Sequence, residues 1–275
     1  MFFDIDELRE TANHYVLSKD AIEFLVHYIE TAKQQGDAFE DFYELKTAIH
    51  TLGITLEDEA LELNDEYLPL REKYRKLIEH FLYYPRFPDI AAMALWVLCI
   101  LWEFVLDYGR EIKEFVRGVA WDALDHVQMR SLSIAGTYLH KCPERELLKM
   151  LLDVYLNDDS DEKEMQESAY QGLAYALGKD FRDIFGTKEE PKAFDPSIIE
   201  DCMHLLETLP PDKEGNCLKN LEPSPLINPF PDKEYPVIKP SKEEMTSEEV
   251  DAFLDAIEIN MKVRSRELKR DLEET

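Results

Sequence analysis

Three segments of the chain repeat one pattern of apolar and small residues at a constant step of 38 positions. They read ALWVLCIL, LSIAGTYL and YQGLAYAL, and in their common register Leu98 aligns with Gly136 and with Ala174. A fixed period of roughly 20 to 50 residues is typical of chains that stack one small structural unit several times. The repeat therefore favours a stack of similar units, and the alternative is an irregular helical bundle.

Each repeated segment follows a longer amphipathic stretch, so the unit is predicted to be a pair of helices. The preceding stretches read REKYRKLIEHFLYY, REIKEFVRGVAWDAL and ERELLKMLLDVYL, with apolar residues three or four positions apart. Only nine glycines occur in 275 residues, which also favours helices because tight turns between strands need glycine. The predicted hairpins span 70–107, 110–141 and 143–185, and residues 4–56 supply three further helices.

Paired helices at this spacing resemble the HEAT and armadillo repeats, in which units of about 40 residues stack into a solenoid. The resemblance rests on the spacing and on the small residues Gly136 and Ala174 in the second helix of a unit. It implies an all-α fold, a right-handed α-α superhelix of HEAT-like helical hairpins. In such a fold the second helices line a concave binding surface.

The composition changes after Leu209, and this change predicts the domain organisation. Eight of the fourteen prolines lie in 210–240, where regular helix is excluded because proline lacks the backbone donor and clashes with the preceding turn. We therefore expect a helical-repeat domain at 1–209 and a proline-rich extended segment at 210–245 that packs on it. Residues 246–275 are predicted to form a C-terminal amphipathic helix with a single apolar stripe.

The net charge of −28, from 59 acidic and 31 basic residues, limits the partners that the chain can attract. Nucleic acid and anionic membranes carry the same sign and are excluded as partners, whereas a basic protein is attracted. The alternative is that the acidity serves only solubility. The N-terminal segment MFFDIDELRE lacks the basic region and apolar run of a signal peptide, so a cytoplasmic location is expected.

Motifs for catalysis, metal binding or cofactor binding are not found in the sequence. The four cysteines have no C-x-x-C spacing, and the seven histidines form no H-E-x-x-H pair. The acidic segment at 157–168 fails as a calcium loop, because Glu164 occupies the position that the motif reserves for glycine. Glycine-rich phosphate loops and nucleophile elbows are also missing. We therefore predict no catalytic residue, no metal and no cofactor.

Candidate partner-binding residues come from the predicted concave surface and from the acidic segments near it. Aromatic side chains often anchor interfaces, and carboxylates attract a basic partner. In WDALDH, Asp122 and His126 are four residues apart and are expected to share a helix face. The full set of candidates is Trp96, Glu103, Asp122, Asp125, His126, Asp158, Asp159, Asp161, Glu164, Glu167, Gln171 and Tyr175.

These features favour an acidic protein-binding module, and in particular an inhibitor that neutralises a basic partner such as a toxin domain. The chain is similar in type, though not in residues, to the immunity proteins with which bacteria neutralise toxins. A scaffold or an assembly chaperone fits the same features. The alternative from another class is an enzyme with scattered catalytic residues, for which Asp122, Asp125 and His126 are the candidates.

Overall fold

Helices form the regular secondary structure of this protein. The computed structural model describes residues 3–15, 17–57, 68–157, 163–186 and 193–210. Within these ranges the chain forms eleven α-helices and no β-strand, which confirms the predicted all-α class. The helices are α1 (Ile5–Ala12), α2 (Lys19–Gln35), α3 (Phe42–Thr55), α4 (Leu68–Glu79), α5 (Pro88–Trp96), α6 (Gly109–Val116), α7 (His126–Lys141), α8 (Arg145–Leu156), α9 (Lys163–Ala176), α10 (Phe181–Phe185) and α11 (Pro196–Thr208).

Capping side chains fix where several helices begin. Asp4 accepts hydrogen bonds from two backbone N–H groups of α1, at 2.9 and 3.1 Å, and Ser18 accepts one from α2 at 3.3 Å. Such bonds satisfy donors that have no partner inside the first turn. Buried apolar residues then follow at helical spacing, as with Ile22, Leu25 and Ile29 in α2. The three helices predicted within 4–56 are confirmed as α1, α2 and α3.

The helices pack in an order that follows the predicted hairpins. Helix α4 contacts α5, α6 contacts α7, and α8 contacts α9, so each predicted pair of helices is in contact. The second helices also pack in succession, α3 on α5, α5 on α7 and α7 on α9. We refer to α3, α5, α7 and α9 as the inner helices. Their succession brings side chains that are far apart in the sequence close together in space.

Helices α7 and α9 approach each other through backbone atoms at two glycines. A Cβ atom on Gly136 would lie 2.0 Å from the carbonyl oxygen of Gly172. A Cβ atom on Gly172 would lie 2.2 Å from the carbonyl oxygen of Leu132. Both distances are far inside van der Waals contact, so only glycine fits at either position. The glycines at 136 and 172 therefore set the spacing of these two helices.

The first helix of the second hairpin is shorter than the sequence pattern predicts. Helix α6 ends at Val116, and residues 117–125 are not helical, although the amphipathic pattern continues to Leu124. Gly118 adopts φ +82°, the left-handed conformation in which helices commonly end. Asp122 therefore precedes α7, and His126 is the first residue of α7. The prediction that these two residues share a helix face is wrong for this reason.

A network of charged and aromatic side chains joins α4 to the turn that follows α5. Arg75 Nε donates to Glu79 Oε1 at 3.0 Å and to the hydroxyl oxygen of Tyr108 at 2.8 Å, and Arg75 Nη1 lies 2.5 Å from Asp107 Oδ2. The Tyr108 hydroxyl donates to the same Glu79 oxygen at 2.7 Å, and the Arg75 guanidinium stacks 4.6 Å from the ring centre of Phe104. We call these five residues the Arg75 network. Its arginine has two carboxylates within ion-pair distance.

Just before this network, the end of α5 takes an unusual backbone path. A π-helical turn, Val97–Leu101, extends the helix, and Glu103 adopts φ +61°. The backbone N–H of Phe104 donates to the carbonyl oxygen of Leu98 at 2.9 Å, which closes the helix as glycine-containing ends usually do. Glu103, a predicted partner-binding residue, is therefore exposed at a helix end.

The predicted proline-rich segment at 210–245 lies outside the described residues except for Pro210, and the predicted C-terminal helix at 246–275 lies wholly outside them. Among the helices that the structure describes, none combines the length and the apolar character needed to cross a lipid bilayer.

Candidate binding site

Three inner helices meet at a single carboxylate. Asp89 lies in the first turn of α5, directly after Pro88, a residue suited to that turn because it needs no backbone donor. Asp89 Oδ1 lies 3.2 Å from Nδ1 of His126 at the start of α7. Asp89 Oδ2 lies 3.5 Å from Nζ of Lys46 on α3. Because 48 % of the Asp89 side chain is exposed, these contacts orient the three groups more than they stabilise the fold.

Beside this carboxylate, α7 carries an arginine that lacks an ion-pair partner among the described residues. The Arg130 guanidinium lies 4.7 Å from the ring centre of Trp96 on α5, in a cation–π contact. Burial lowers the pKa of Arg130, while the nearby Asp89 and Tyr175 act in the opposite direction. An arginine stays protonated in proteins at every ordinary pH, so this half-buried group remains a cation.

Nearby cations also affect the pKa of a histidine on α3. The pKa of His50 is lowered to about 4, first by burial and then by the neighbouring cations Arg130, Arg9 and Lys46. These three cations belong to three different helices, α7, α1 and α3. His50 is therefore neutral at neutral pH, with basic groups from all three helices close enough to disfavour its protonation.

The cation that α1 contributes is also weakly matched. Arg9 Nη2 lies 3.7 Å from an exposed carboxylate oxygen of Glu10, its neighbour in the chain. The Nε atom of Arg9 is buried and has no hydrogen-bond acceptor among the described residues. A buried donor without an acceptor is costly, and such groups usually call for a functional explanation.

Two hydrogen-bonded side chains of α9, Gln171 and Tyr175, are also part of the candidate site. Gln171 Nε2 donates to the hydroxyl oxygen of Tyr175 at 2.7 Å, and the Ser133 hydroxyl of α7 donates to Gln171 Oε1 at 3.0 Å. We define the inner cluster as Arg9, Lys46, His50, Asp89, Trp96, His126, Arg130, Gln171 and Tyr175. In a chain with a net charge of −28, this cluster contains three cations, Arg9, Lys46 and Arg130, and one carboxylate, that of the half-exposed Asp89, while Glu10 lies beside Arg9 outside it.

Four of the predicted partner-binding residues belong to the inner cluster: Trp96, His126, Gln171 and Tyr175. Each is half-buried, so part of each side chain is open to a ligand or partner. They lie on α5, α7 and α9. Their role in binding stays a prediction.

Asp122 lies outside this group and is used within the fold. Its carboxylate is 3 % exposed and accepts three backbone hydrogen bonds, from the N–H groups of His126, Val127 and Gln128 at 3.0, 2.7 and 3.2 Å. Burial raises the pKa of Asp122, and the bonds from these backbone donors oppose the rise. The group therefore caps α7, and its hydrogen-bonding capacity is taken up by that helix.

The remaining candidates lie at several separate places. Asp125 adopts φ +57° immediately before α7 and is half-buried. Glu164 and Glu167 are exposed on α9. Asp158, Asp159 and Asp161 lie outside the described residues. The structure thus brings the aromatic and amide candidates together with His126, and it does not bring the described acidic candidates into the same cluster.

Sequence reasoning missed five members of the cluster: Arg9, Lys46, His50, Asp89 and Arg130. A signal for part of them was present, because polar residues recur four positions apart on each of three inner helices. Lys46 precedes His50 by four residues, His126 precedes Arg130 by four, and Gln171 precedes Tyr175 by four. Such pairs are also common on solvent-exposed faces, so the spacing alone does not distinguish the two cases.

Comparisons with protein-family models, with curated proteins and with solved structures returned no significant match for this chain. The candidate site therefore depends on its own geometry. Within the described residues, no group of three or more histidine, cysteine, aspartate or glutamate side chains is arranged to hold a metal ion.

Proposed function

We propose that this chain is a protein-binding module in which HEAT-like helical hairpins stack as a right-handed superhelix. The successive packing of α3, α5, α7 and α9 supports this arrangement, together with the 38-residue step in the sequence. In such a stack, the exposed side of the second helices forms one continuous surface. The inner cluster, which draws residues from all four of these helices, is the part of that surface proposed to contact the partner.

The observation that carries the proposal is the composition of the inner cluster. Trp96, Arg130 and Tyr175 are residue types that dominate the energetics of protein interfaces, and all three are half-buried rather than fully packed. An aromatic side chain in this state has apolar area left to bury against a partner. The polar groups around it supply directional contacts that select among partners.

The charge of the whole chain favours a basic partner. A net charge of −28 accelerates the encounter with a positively charged protein and repels nucleic acid. Toxins that act on nucleic acid must be basic to bind phosphate, so an acidic inhibitor of the immunity type is the specific form that we propose. The positive inner cluster then receives an acidic or hydrogen-bonding group of a partner that the surrounding field has attracted.

The direct test first asks whether a neighbouring gene encodes a basic protein, which then serves as the partner in a binding assay. The full chain and that protein are mixed, and binding is measured by calorimetry at low and at moderate salt. We expect binding that weakens as salt rises, since salt screens the attraction between opposite charges. Absence of binding, or binding of the same strength at both salt concentrations, would contradict the proposal.

Two variants test where the partner binds, and the activity of the bound partner distinguishes an inhibitor from a scaffold or chaperone. Trp96→Ala is expected to weaken binding at least about tenfold, in line with the loss of an interface anchor. Tyr43→Ala, which removes an aromatic side chain that is 56 % exposed on α3 outside the cluster, is the matched control and should bind normally. Loss of the partner's activity in the complex indicates an inhibitor, whereas retained activity indicates a scaffold or chaperone.

A further inference from the structure

Five aromatic side chains of α8, α9, α10 and the residues just before α11 form an unbroken series of ring contacts. The ring centres of Tyr155 and Tyr170 are 5.9 Å apart, and those of Tyr170 and Phe194, which stack, are 4.3 Å apart. The ring centre of Phe185 lies 6.4 Å from that of Phe194 and 4.8 Å from that of Phe181. We call these five residues the aromatic row.

Most of the aromatic row is open to solvent. Phe194 is 38 % exposed, and Tyr155, Phe181 and Phe185 are half-buried, whereas Tyr170 is buried. An apolar neighbour in the chain, Leu156, is 55 % exposed. Grouped apolar side chains on a surface mark places where another chain segment binds. The row shares no residue with the inner cluster, so it is a second candidate surface.

The most exposed ring of the row is held in place by hydrogen bonds next to it. The backbone N–H of Asp195 donates to the hydroxyl oxygen of Tyr170 at 2.7 Å, and the Asp195 carboxylate caps α11 by accepting from the N–H of Ser197 at 2.9 Å. Phe194 directly precedes this anchored residue and stacks on the Tyr170 ring. A surface that is already ordered loses little conformational freedom when a ligand binds.

We propose that the aromatic row binds residues 223–231 of this same chain in an extended polyproline conformation. These residues lie outside the described ones and read PSPLINPFP, with four prolines and no charged side chain in a chain that is 33 % charged. Polyproline segments bind surfaces lined by aromatic side chains, because the extended backbone has little conformational entropy left to lose. At three residues per turn, Pro223, Leu226 and Pro229 share one apolar face that fits such a surface.

The place where the described chain ends favours this occupant. Nη1 of Arg145 on α8 donates to the carbonyl oxygens of Leu206 and Leu209 at 2.6 and 2.9 Å, which fixes the C-terminal end of α11 against α8. Helix α11 also contacts α9, so it packs on both helices that carry tyrosines of the row.

The connecting chain is long enough for this return. Between Pro210 and Pro223 the chain can extend over roughly 40 Å. Helix α11, with 13 residues, is only about 20 Å long. The segment can therefore run back along α11 from its C-terminal end to the row at its N-terminal end.

Covalent attachment strengthens the docking without any further contact. A segment joined by a short flexible connection is present at an effective concentration of about the millimolar range. Even a segment with weak intrinsic affinity then fills the row for most of the time. This surface differs from the inner cluster, so the inference goes beyond the proposed function and does not depend on it.

Limited digestion of the full chain by chymotrypsin tests the docking. Leu226 lies in the middle of the segment, and the rate of cleavage after it is followed by mass spectrometry. Cleavage follows the population of released segment, so Phe194→Ala is expected to raise this rate at least about tenfold by removing the most exposed ring. Tyr43→Ala, which removes a 56 % exposed ring of α3, is the matched control and should leave the rate unchanged.

A second variant keeps the test decisive if Phe194→Ala disturbs the fold, which circular dichroism would show. Phe181→Ala leaves the stack of Phe194 on Tyr170 intact and is expected to raise the rate about threefold. Equal rates in the original chain and in both variants would leave the row open to a separate partner and overturn the proposal. It is also overturned if Tyr43→Ala accelerates cleavage as Phe194→Ala does. A rate in the original chain that falls as the protein concentration rises would assign the row to a second copy and overturn it as well.

Discussion

Arg75 and Arg130 are both half-buried arginines that stack on aromatic rings, yet their surroundings are opposite. Arg75 has carboxylates of Glu79 and Asp107 at 3.0 and 2.5 Å. Arg130 has no carboxylate at ion-pair distance among the described residues, and its neighbours include Asp89 and the neutral His50, whose pKa it helps to lower. The cationic group is the same in both places, and only the surrounding charges differ.

We interpret the difference as one between a residue whose charge is used within the fold and one whose charge is not. A buried ion pair can be broken only at the cost of leaving a charge without its partner. An arginine that already lacks a partner has no such contact to lose, so its replacement should affect binding more than folding.

The largest loss of stability is expected from Gly136→Ala, which forces α9 away from α7, the helix that carries Arg130. Gly136→Ala places a methyl group 2.0 Å from a backbone oxygen of α9, and backbone atoms cannot move aside as a flexible side chain can. We expect a loss of about 3 kcal/mol or more in the free energy of unfolding, measured by urea denaturation. Gly36→Ala, at φ +54° with open space around it, should cost about 1 kcal/mol from conformation alone. Equal losses in the two variants would show that the contact between the helices is not decisive.

The next largest loss of stability should come from Arg75→Met, which removes the cation of the Arg75 network. Glu79, whose side chain is 10 % exposed, would lose its cation and remain in contact with only the Tyr108 hydroxyl. Breaking a buried pair by removing one partner costs about 3 to 5 kcal/mol, and the partial exposure of the network places the expected loss near about 3 kcal/mol. The measurement is again urea denaturation. A loss below about 1 kcal/mol would contradict a structural role for this network.

A smaller effect is expected from pH, acting through His50. Its pKa of about 4 lies below the ordinary value near 6.5, so the unfolded chain takes up a proton between these values while the folded chain does not. The contribution of His50 to stability is therefore complete above about pH 6.5 and is lost as the pH falls toward 4, at no more than about 1.4 kcal/mol per pH unit. Between pH 7 and pH 5, we expect the original chain to lose about 1 to 2 kcal/mol more than His50→Asn does. A matched substitution at the exposed His27 should leave the pH dependence unchanged, and identical slopes in all three proteins would refute the assignment.

Arg130→Met removes the arginine that has no carboxylate at ion-pair distance among the described residues, and we expect little change in stability. The variant loses a cation–π contact of about 0.5 to 1 kcal/mol but relieves the burial of an unpaired cation and its repulsion with its neighbours. The free energy of unfolding should therefore stay within about 1 kcal/mol of the original value, measured as for Arg75→Met. A loss as large as that of Arg75→Met would remove the distinction between the two arginines.

The smallest effect is a gain in stability at Glu103, the residue that precedes Phe104 of the Arg75 network. Glu103 has φ +61°, a conformation that costs an ordinary residue about 1 to 2 kcal/mol and that glycine adopts freely. Since glycine also makes the unfolded chain more flexible, Glu103→Gly should stabilise the protein by only about 0.5 kcal/mol. Arg110→Gly, inside helix α6, is expected to cost about 1 kcal/mol and shows that the gain belongs to this position.

Sequence patterns were sufficient for the all-α fold class, because helix formation depends on local periodicity. The helices that contain Gly136 and Ala174 are present as α7 and α9, whereas the repeat that suggested them stays a prediction. The role of Asp122 was missed, because Gly118 ends a helix in the middle of a pattern that looks continuous. Asp122 precedes the start of α7 and caps that helix, but the sequence pattern does not reveal where α7 begins. Its four-residue spacing from His126 made Asp122 resemble half of a catalytic pair.

The inner cluster could not be predicted for a different reason. Lys46 is four residues from His50 on α3, but Arg9 and Arg130 come from α1 and α7, which are distant in sequence, and only tertiary packing brings them near His50. In an acidic chain, each of them reads singly as an ordinary solvent-exposed base. The overall charge of −28 also directed attention to carboxylates, whereas the described site is positive.

The glycine contact between α7 and α9 has a mechanical consequence. Because backbone meets backbone at Gly136 and Gly172, no side-chain rotation can lengthen or shorten that contact, and the two helices are expected to move as one rigid pair. The junction of α5 with α7 includes the contact of Asp89 with His126, a partly exposed pair that can open at little cost. Any adjustment in the spacing of the inner helices is therefore expected at the junction of α5 with α7 and not between α7 and α9.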